Sequence, residues 1–185
     1  MGCSAWSPRS SCRSERIAAV DVSTLPEGFV RLVATTPLRS RPDAVAELLA
    51  GDAMTWADGR VEHPGGRDLR RFAADLRLRV GTESASLATF GKAAYVDVGH
   101  PRRTADGWEV EIGWRASRAA PLFPVFSGWL SIRPGELHLE GVYAPPGGVL
   151  GRVADRMLLH VAANGTARWL LGEIDRAAIA PIDGG

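Results

Sequence analysis

Few side chains in this sequence could do chemistry at neutral pH, and they are scattered. Imidazole titrates near neutrality, so the four histidines, His63, His100, His138 and His160, are the first proton-transfer candidates. His63 and His100 each precede a proline and read as turn residues. His138 sits between Leu137 and Leu139, so alternation turns it away from a core. His160 lies on the flank of an apolar helical stripe, from which it could reach a cavity mouth. Arg115 and Tyr143 end two apolar strands. There a forked guanidinium and a phenolic hydroxyl could hold the polar head of an otherwise apolar molecule. His160, Arg115 and Tyr143 are therefore the catalytic candidates. Each also has an ordinary structural role open to it: a surface or capping histidine, a surface ion pair, a core tyrosine.

Other chemistries find no support. The sequence holds no G-x-S-x-G elbow, no H-E-x-x-H and no His/Cys cluster at metal spacing. Cys3 and Cys12 both lie near the N-terminus, away from any histidine that would complete a zinc site. Gly147, Gly148 and Gly151 follow a strand and open a helix, where phosphates bind. Their pattern is neither G-x-G-x-x-G nor a P-loop, and a sheet-to-helix corner explains them more simply. Asp97 and Glu111 make no convincing carboxylate pair from sequence, and Asp155 reads as a partner of Arg152 or Arg156. Neither a metal nor a cofactor is implied. The formal net charge of +1 and the small basic turn Arg102-Arg103 give no reason to expect nucleic acid. No apolar run approaches the roughly 20 residues that span a bilayer. The first residues lack the apolar stretch of a signal peptide, and Trp6 stands where a myristoylation start wants Ser or Thr. The expected location is the cytoplasm.

The elements that must position these residues come from periodicity. Residues 29–36 read as a strand ended by Pro37, and Pro42 opens a short helix that Gly51 closes. Residues 52–66 are turn-rich, with Trp56 as an anchor, and are expected to form a mobile lid. A second short helix is expected over 68–74 and a strand over 76–80; 84–90 stays open. Strands follow over 93–98, 108–114, 122–132 and 137–143, with an edge or bulge at Pro124 and a turn at Pro134-Gly135. Short turns between successive strands imply an antiparallel meander. A long C-terminal helix ends the chain. Its apolar residues fall in two phases, Leu150 to Val161 and Leu170 to Ala178, with Asn164-Gly165 between them, which predicts a bend or break near Gly165.

This order, with the stretch 122–130, its continuation 139–148, and then Leu150-Gly151, Asp155, residues 159–162 and Thr166, resembles the SRPBCC or START-like superfamily. The resemblance covers about 29–179 and is to uncharacterised bacterial members. It implies an α+β helix-grip fold, a curved antiparallel sheet of about six strands wrapped around the C-terminal helix. Residues 1–16 are expected to be a disordered tail in which Met1 need not be the natural start, 17–180 one helix-grip domain, and 181–185 a short tail. Members of that superfamily enclose lipids, polyketides, quinones or similar molecules; some are cyclases or dehydratases, and others only carry or sense a ligand.

The expected lining is Trp108, Val110, Ile112, Trp114, Phe126, Leu130, Leu139, Tyr143, Met157 and Val161. The expected partner is a hydrophobic small molecule, without stable membrane insertion. Three functions follow in order: a ligand-binding protein, a cyclase or dehydratase acting in the same cavity, or an interaction module with a filled core. Stability alone would justify such a wall, because burying one large apolar side chain contributes about 1.5–3 kcal/mol. Whether the protein is a monomer or a homodimer is left open by the sequence.

Overall fold

The computed structural model of the chain describes residues 29–52, 54, 57–61, 69–82, 85–117, 125–144 and 154–179, with the backbone alone over 77–82, 85–92, 154–160 and at 162. The expected tails, Trp56, Pro124 and the corner at 145–151 lie outside the described residues.

The first strand, β1 (Val30–Pro37), is rich in β-branched residues and ends at Pro37. Helix α1 (Pro42–Ala50) begins on Pro42, whose fixed φ suits a first helical turn, and carries Asp43 there. It closes at Gly51, whose N–H is bonded to the carbonyls of Glu47 and Leu48. There follow β2 (Gly59–Val61), β3 (Arg70–Thr82), β4 (Ala85–Val98), β5 (Arg102–Arg103), β6 (Trp108–Ala116), β7 (Val125–Arg133), β8 (Glu136–Ala144) and α2 (Ala154–Ile179). The strands pair antiparallel in the order β1-β8-β7-β6-β4-β3-β2, with β5 beside β6. Gly135, at φ +80°, supplies the left-handed position that the tight β7–β8 turn needs after Pro134.

Several sequence expectations change here. The sheet has eight strands rather than about six. Residues 69–74 are not helical; they lead into β3, where Phe72, Ala74 and Leu76 are fully buried on alternate positions. That segment is too short for a period of two to stand out from one of 3.6. The open stretch 84–90 falls largely in β4. Within the expected lid, Gly59–Val61 is not a free loop but pairs with β3, and Met54 is buried in the core. Arg102-Arg103 is a short strand rather than a turn.

Helix α2 is unbroken through Asn164-Gly165. A helical glycine costs about 1 kcal/mol, and burial on either side outweighs it. Ala163, Thr166, Ala167, Leu170, Leu171 and Ile174 form one fully buried stripe at i, i+3, i+4, i+7, i+8 and i+11. This helix lies against both β1 and β3, which have four strands between them in the sheet order. One helix can touch both only if the sheet curls around it. The architecture is thus the helix-grip arrangement, with a short helix after β1.

The two ends of the sheet differ. At one end α1 packs on β6 and β7 and touches α2. There Asp175, near the C-terminus of α2 and 2% exposed, accepts the backbone N–H of Arg39 at 2.9 Å and its Nε–H at 2.7 Å. The buried Arg70 guanidinium donates to the carbonyls of Leu49, Ala50 (2.6 Å) and Gly51 at the end of α1, and to that of Gly99 (3.0 Å). A cation at a helix C-terminus answers the unbonded carbonyls there. Because the last turns of α2 meet this α1 end, its first turns run toward the other end of the sheet.

Curvature has a visible cause in Gly128 and Gly141, directly paired on β7 and β8. A Cβ on Gly128 would lie 2.3 Å from the Glu140 carbonyl oxygen, and one on Gly141 would lie 2.4 Å from that of Ser127. Each would also sit 2.7 Å from the Phe126 ring, which covers both positions. Glycine pairs of this kind let strands bend and approach closely, and the aromatic ring fills the space. Gly128→Ala and Gly141→Ala should therefore each destabilise the protein by about 3 kcal/mol in urea unfolding. Gly135→Ala, in open space with only its φ against it, should cost about 1 kcal/mol. Equal losses at all three positions would contradict this account.

Candidate functional site

The concave face carries the expected wall. On β6, Val110, Ile112 and Trp114 are buried; Phe126 and Leu130 on β7, and Leu139 and Tyr143 on β8, join them. β3 and β4 add Phe72, Leu76, Val96 and Val98, which sequence reasoning did not place there. Across the sheet Trp114 pairs with Phe126 and Phe126 with Tyr143, so three aromatics form one row at the end remote from α1. Trp114 and Phe126 stack with centroids 4.0 Å apart and planes 18° apart. The row lies on the inner face of the sheet.

Trp108 has the same parity as Trp114 but a different situation. It lies at the α1 end, half-buried, and its Nε1–H donates to Asp43 at 2.8 Å. Arg103 donates to the same oxygen at 2.8 Å and stands 5.0 Å over the Trp108 ring. Trp108 thus clamps the start of α1. By contrast, the Trp114 Nε1–H, in a side chain only 1% exposed, is buried without a partner among the described residues. A buried donor left unbonded costs about 1–3 kcal/mol. The indole N–H of Trp169 on α2 is likewise buried without a partner among the described residues. Trp169 was not among the expected lining residues; its only sequence signal was a large aromatic beside the Leu170-Leu171 stripe.

The remaining candidates fall elsewhere. Arg115 is exposed on the outer face, paired across the strands with Tyr95. Alternation that turns Trp114 inward must turn Arg115 outward, so the inner face does not bring it to the aromatic row. Val161 is 39% exposed, rather than part of the covered lining. Its position lies well round the helix from the buried stripe. The backbone at Met157 and His160 belongs to α2, and their side chains lie outside the described residues.

His138 is on the outer face, its Nδ1 sharing a hydrogen bond with Thr35 Oγ1 at 3.1 Å, with Glu140 3.8 Å from Nε2. His100 is exposed in the turn after β4, and His63 lies outside the described residues. Asp97 is held by Arg71 through two bonds of 2.6 and 2.8 Å. The hydrogen bond it donates to Asp97 holds the Arg71 guanidinium above its usual range, against desolvation. Among the described residues, no three His, Cys, Asp or Glu side chains gather as metal ligands, and no helix is long and apolar enough to cross a membrane.

No family model matches the sequence, and no curated protein does. Solved structures of similar shape include an aromatase/cyclase, ZhuI, from Streptomyces sp. R1128. It is 15% identical, with a TM-score of 0.47 over 85% of this chain and 99% of that one. A conserved protein from Geobacillus kaustophilus is also 15% identical, with a TM-score of 0.45 over 80% and 95%. The two-domain aromatase/cyclase StfQ of the steffimycin biosynthetic pathway is 10% identical, at 0.41 over 81% of this chain and 49% of its own. These are distant likenesses of shape that bear on neither mechanism nor ligand. The architecture itself is one capable of cradling a hydrophobic ligand between sheet and helix.

The Asp43 carboxyl is held below its ordinary range, first by the hydrogen bond from Trp108 and further by the bond and charge of Arg103 and the charge of Arg41, against desolvation. A depressed carboxylate pKa contributes stability above the unfolded-state value and loses it as pH falls through the folded one. Asp43→Asn should therefore lower Tm at neutral pH, and the gap from the parent protein should close below about pH 4. Thermal melts across that range check this; a gap that persists at low pH would mean that Asp43 acts by shape rather than charge.

Proposed function

We propose that the protein binds an apolar small molecule between the curved sheet and the first turns of α2. The observation that carries this reading is the buried row Trp114-Phe126-Tyr143 at the end remote from α1. Three large aromatics, two with polar tips, suit a ligand better than they suit filler, because a core built only for stability favours aliphatic residues with no polar atom to satisfy. Enclosure removes the ligand's apolar surface from water, which is the driving force. The lining proposed is Val110, Ile112, Trp114, Phe126, Leu130 and Tyr143, with Leu139 below them. Met157 belongs with the α2 side of the site.

A second reading is favoured by Tyr143, 1% exposed in the same row, and by the spacing of His160. Position 160 precedes Ala163 by three residues and Ala167 by seven, on the helix face that meets the sheet. A phenol and an imidazole at one apolar site could move protons to and from a carbonyl-bearing substrate, as a cyclase or dehydratase requires.

One experiment separates the readings. Fatty acids, a sterol and fused-ring aromatics are titrated against the protein, with tryptophan emission, Tm and product formation followed together. Ligand at about a hundred times its Kd adds about 2.7 kcal/mol of stability, or roughly 5–10 °C for a chain of this size. A saturable rise without product supports a carrier. Product formation lost in Tyr143→Phe or His160→Ala supports the enzyme. No response to any class removes both and leaves a filled core.

A further inference from the structure

Two tryptophans on one face of one strand provide an internal comparison. Trp108 gives its indole N–H to Asp43, whereas Trp114, six residues along β6, has its N–H buried with no acceptor among the described residues. Its neighbours on the inner face are apolar: Val96 and Phe126 directly across the strands, and Ile112 next along β6. The cation nearest in sequence, Arg115, is on the other face.

We propose that the ligand of this site carries a neutral acceptor oxygen, a ketone, quinone or hydroxyl, that takes the Trp114 indole N–H. This rests on the binding reading above and adds the ligand's chemistry to it. An oxygen placed there satisfies a donor that is already out of water, so the bond forms with little further desolvation of the protein. A carboxylate would also accept the bond, but it would have to shed its hydration among Val96, Ile112 and Phe126, which offer no charge in return. A pure hydrocarbon would fill space and leave the N–H unbonded. The site therefore selects neutral oxygenated molecules from apolar ones of equal size. Trp114 acts as its specificity-determining residue.

Matched probes test this: 9-fluorenone against fluorene, and cholestan-3-one against cholestane, each pair differing chiefly by a carbonyl. The wild-type protein should bind the ketone of a pair about tenfold more tightly than the hydrocarbon. In Trp114→Phe, which keeps an aromatic ring but lacks the N–H, the two should agree within about threefold. In a proton–nitrogen correlation spectrum, the indole resonance missing from Trp114→Phe should move downfield with ketone and stay in place with hydrocarbon. A merely structural tryptophan would not respond in that way. If the variant fails to fold, the wild-type pair comparison decides. Equal binding of ketone and hydrocarbon overturns the inference and leaves the site standing. No saturable response to either member of either pair overturns the site as well.

Discussion

One contact governs the rest of this molecule: the buried stripe of α2 touches both β1 and β3. Those strands lie far apart in the sheet, so the stripe can reach both only if the intervening strands curl. Each partner makes room for the other. Ala163 and Ala167 let the helix come close, and Gly128 opposite Gly141 lets the sheet bend where any Cβ would strike a backbone carbonyl. The Phe126 ring fills the space left by the missing side chains. Curvature, close approach and aromatic filling are thus one feature, and each makes sense only with the other two.

Polar groups at the two ends of that curl have different neighbours. Beside α1, several are engaged, some exposed and some buried. Asp43 holds Trp108 and Arg103, Asp175 holds the loop before α1, and Arg70 collects the terminal carbonyls of the helix. At Asp175 and Arg70, which are buried, such bonds fix the helix against the sheet, since removing their partners would strand a charge out of water. At the aromatic end, the Trp114 indole N–H is already stranded. Proteins rarely bury a donor without an acceptor, and the exceptions gather where function outweighs stability.

Much of this was legible in the residues, and the failures have physical causes. β6 was read correctly because Trp108, Val110, Ile112 and Trp114 alternate with polar residues over a full strand. The same alternation already placed Arg115 on the opposite face; its position at a strand end made it look like a candidate. β3 was missed at its start because Arg70 and Arg71 are buried by hydrogen bonds and an ion pair, which hydrophobic patterning does not register. The break expected at Gly165 did not occur because tertiary burial on both sides outweighs local propensity. The edge pairing of β2 depends on β3 and leaves little trace in three residues. The unbonded state of two indole nitrogens is invisible in a sequence, since it depends on what does not approach them.

On the proposed binding reading, packing also decides where ligand selectivity must come from. Leu130, Leu139 and Val110 are fully covered by other atoms of the protein. Exchanging those covers for ligand atoms therefore removes little further protein surface from water. The hydrophobic gain on binding is then mainly the ligand's own, and it is nearly equal for any apolar molecule of similar size. Discrimination needs an interaction that one ligand makes and another does not. Beside Val96, Ile112 and Phe126, a buried N–H with no acceptor among the described residues is such a difference, and its lack of solvent is what gives the bond its worth. On the proposed binding reading, curvature creates the enclosure, and the Trp114 donor on its inner surface gives that enclosure a preference.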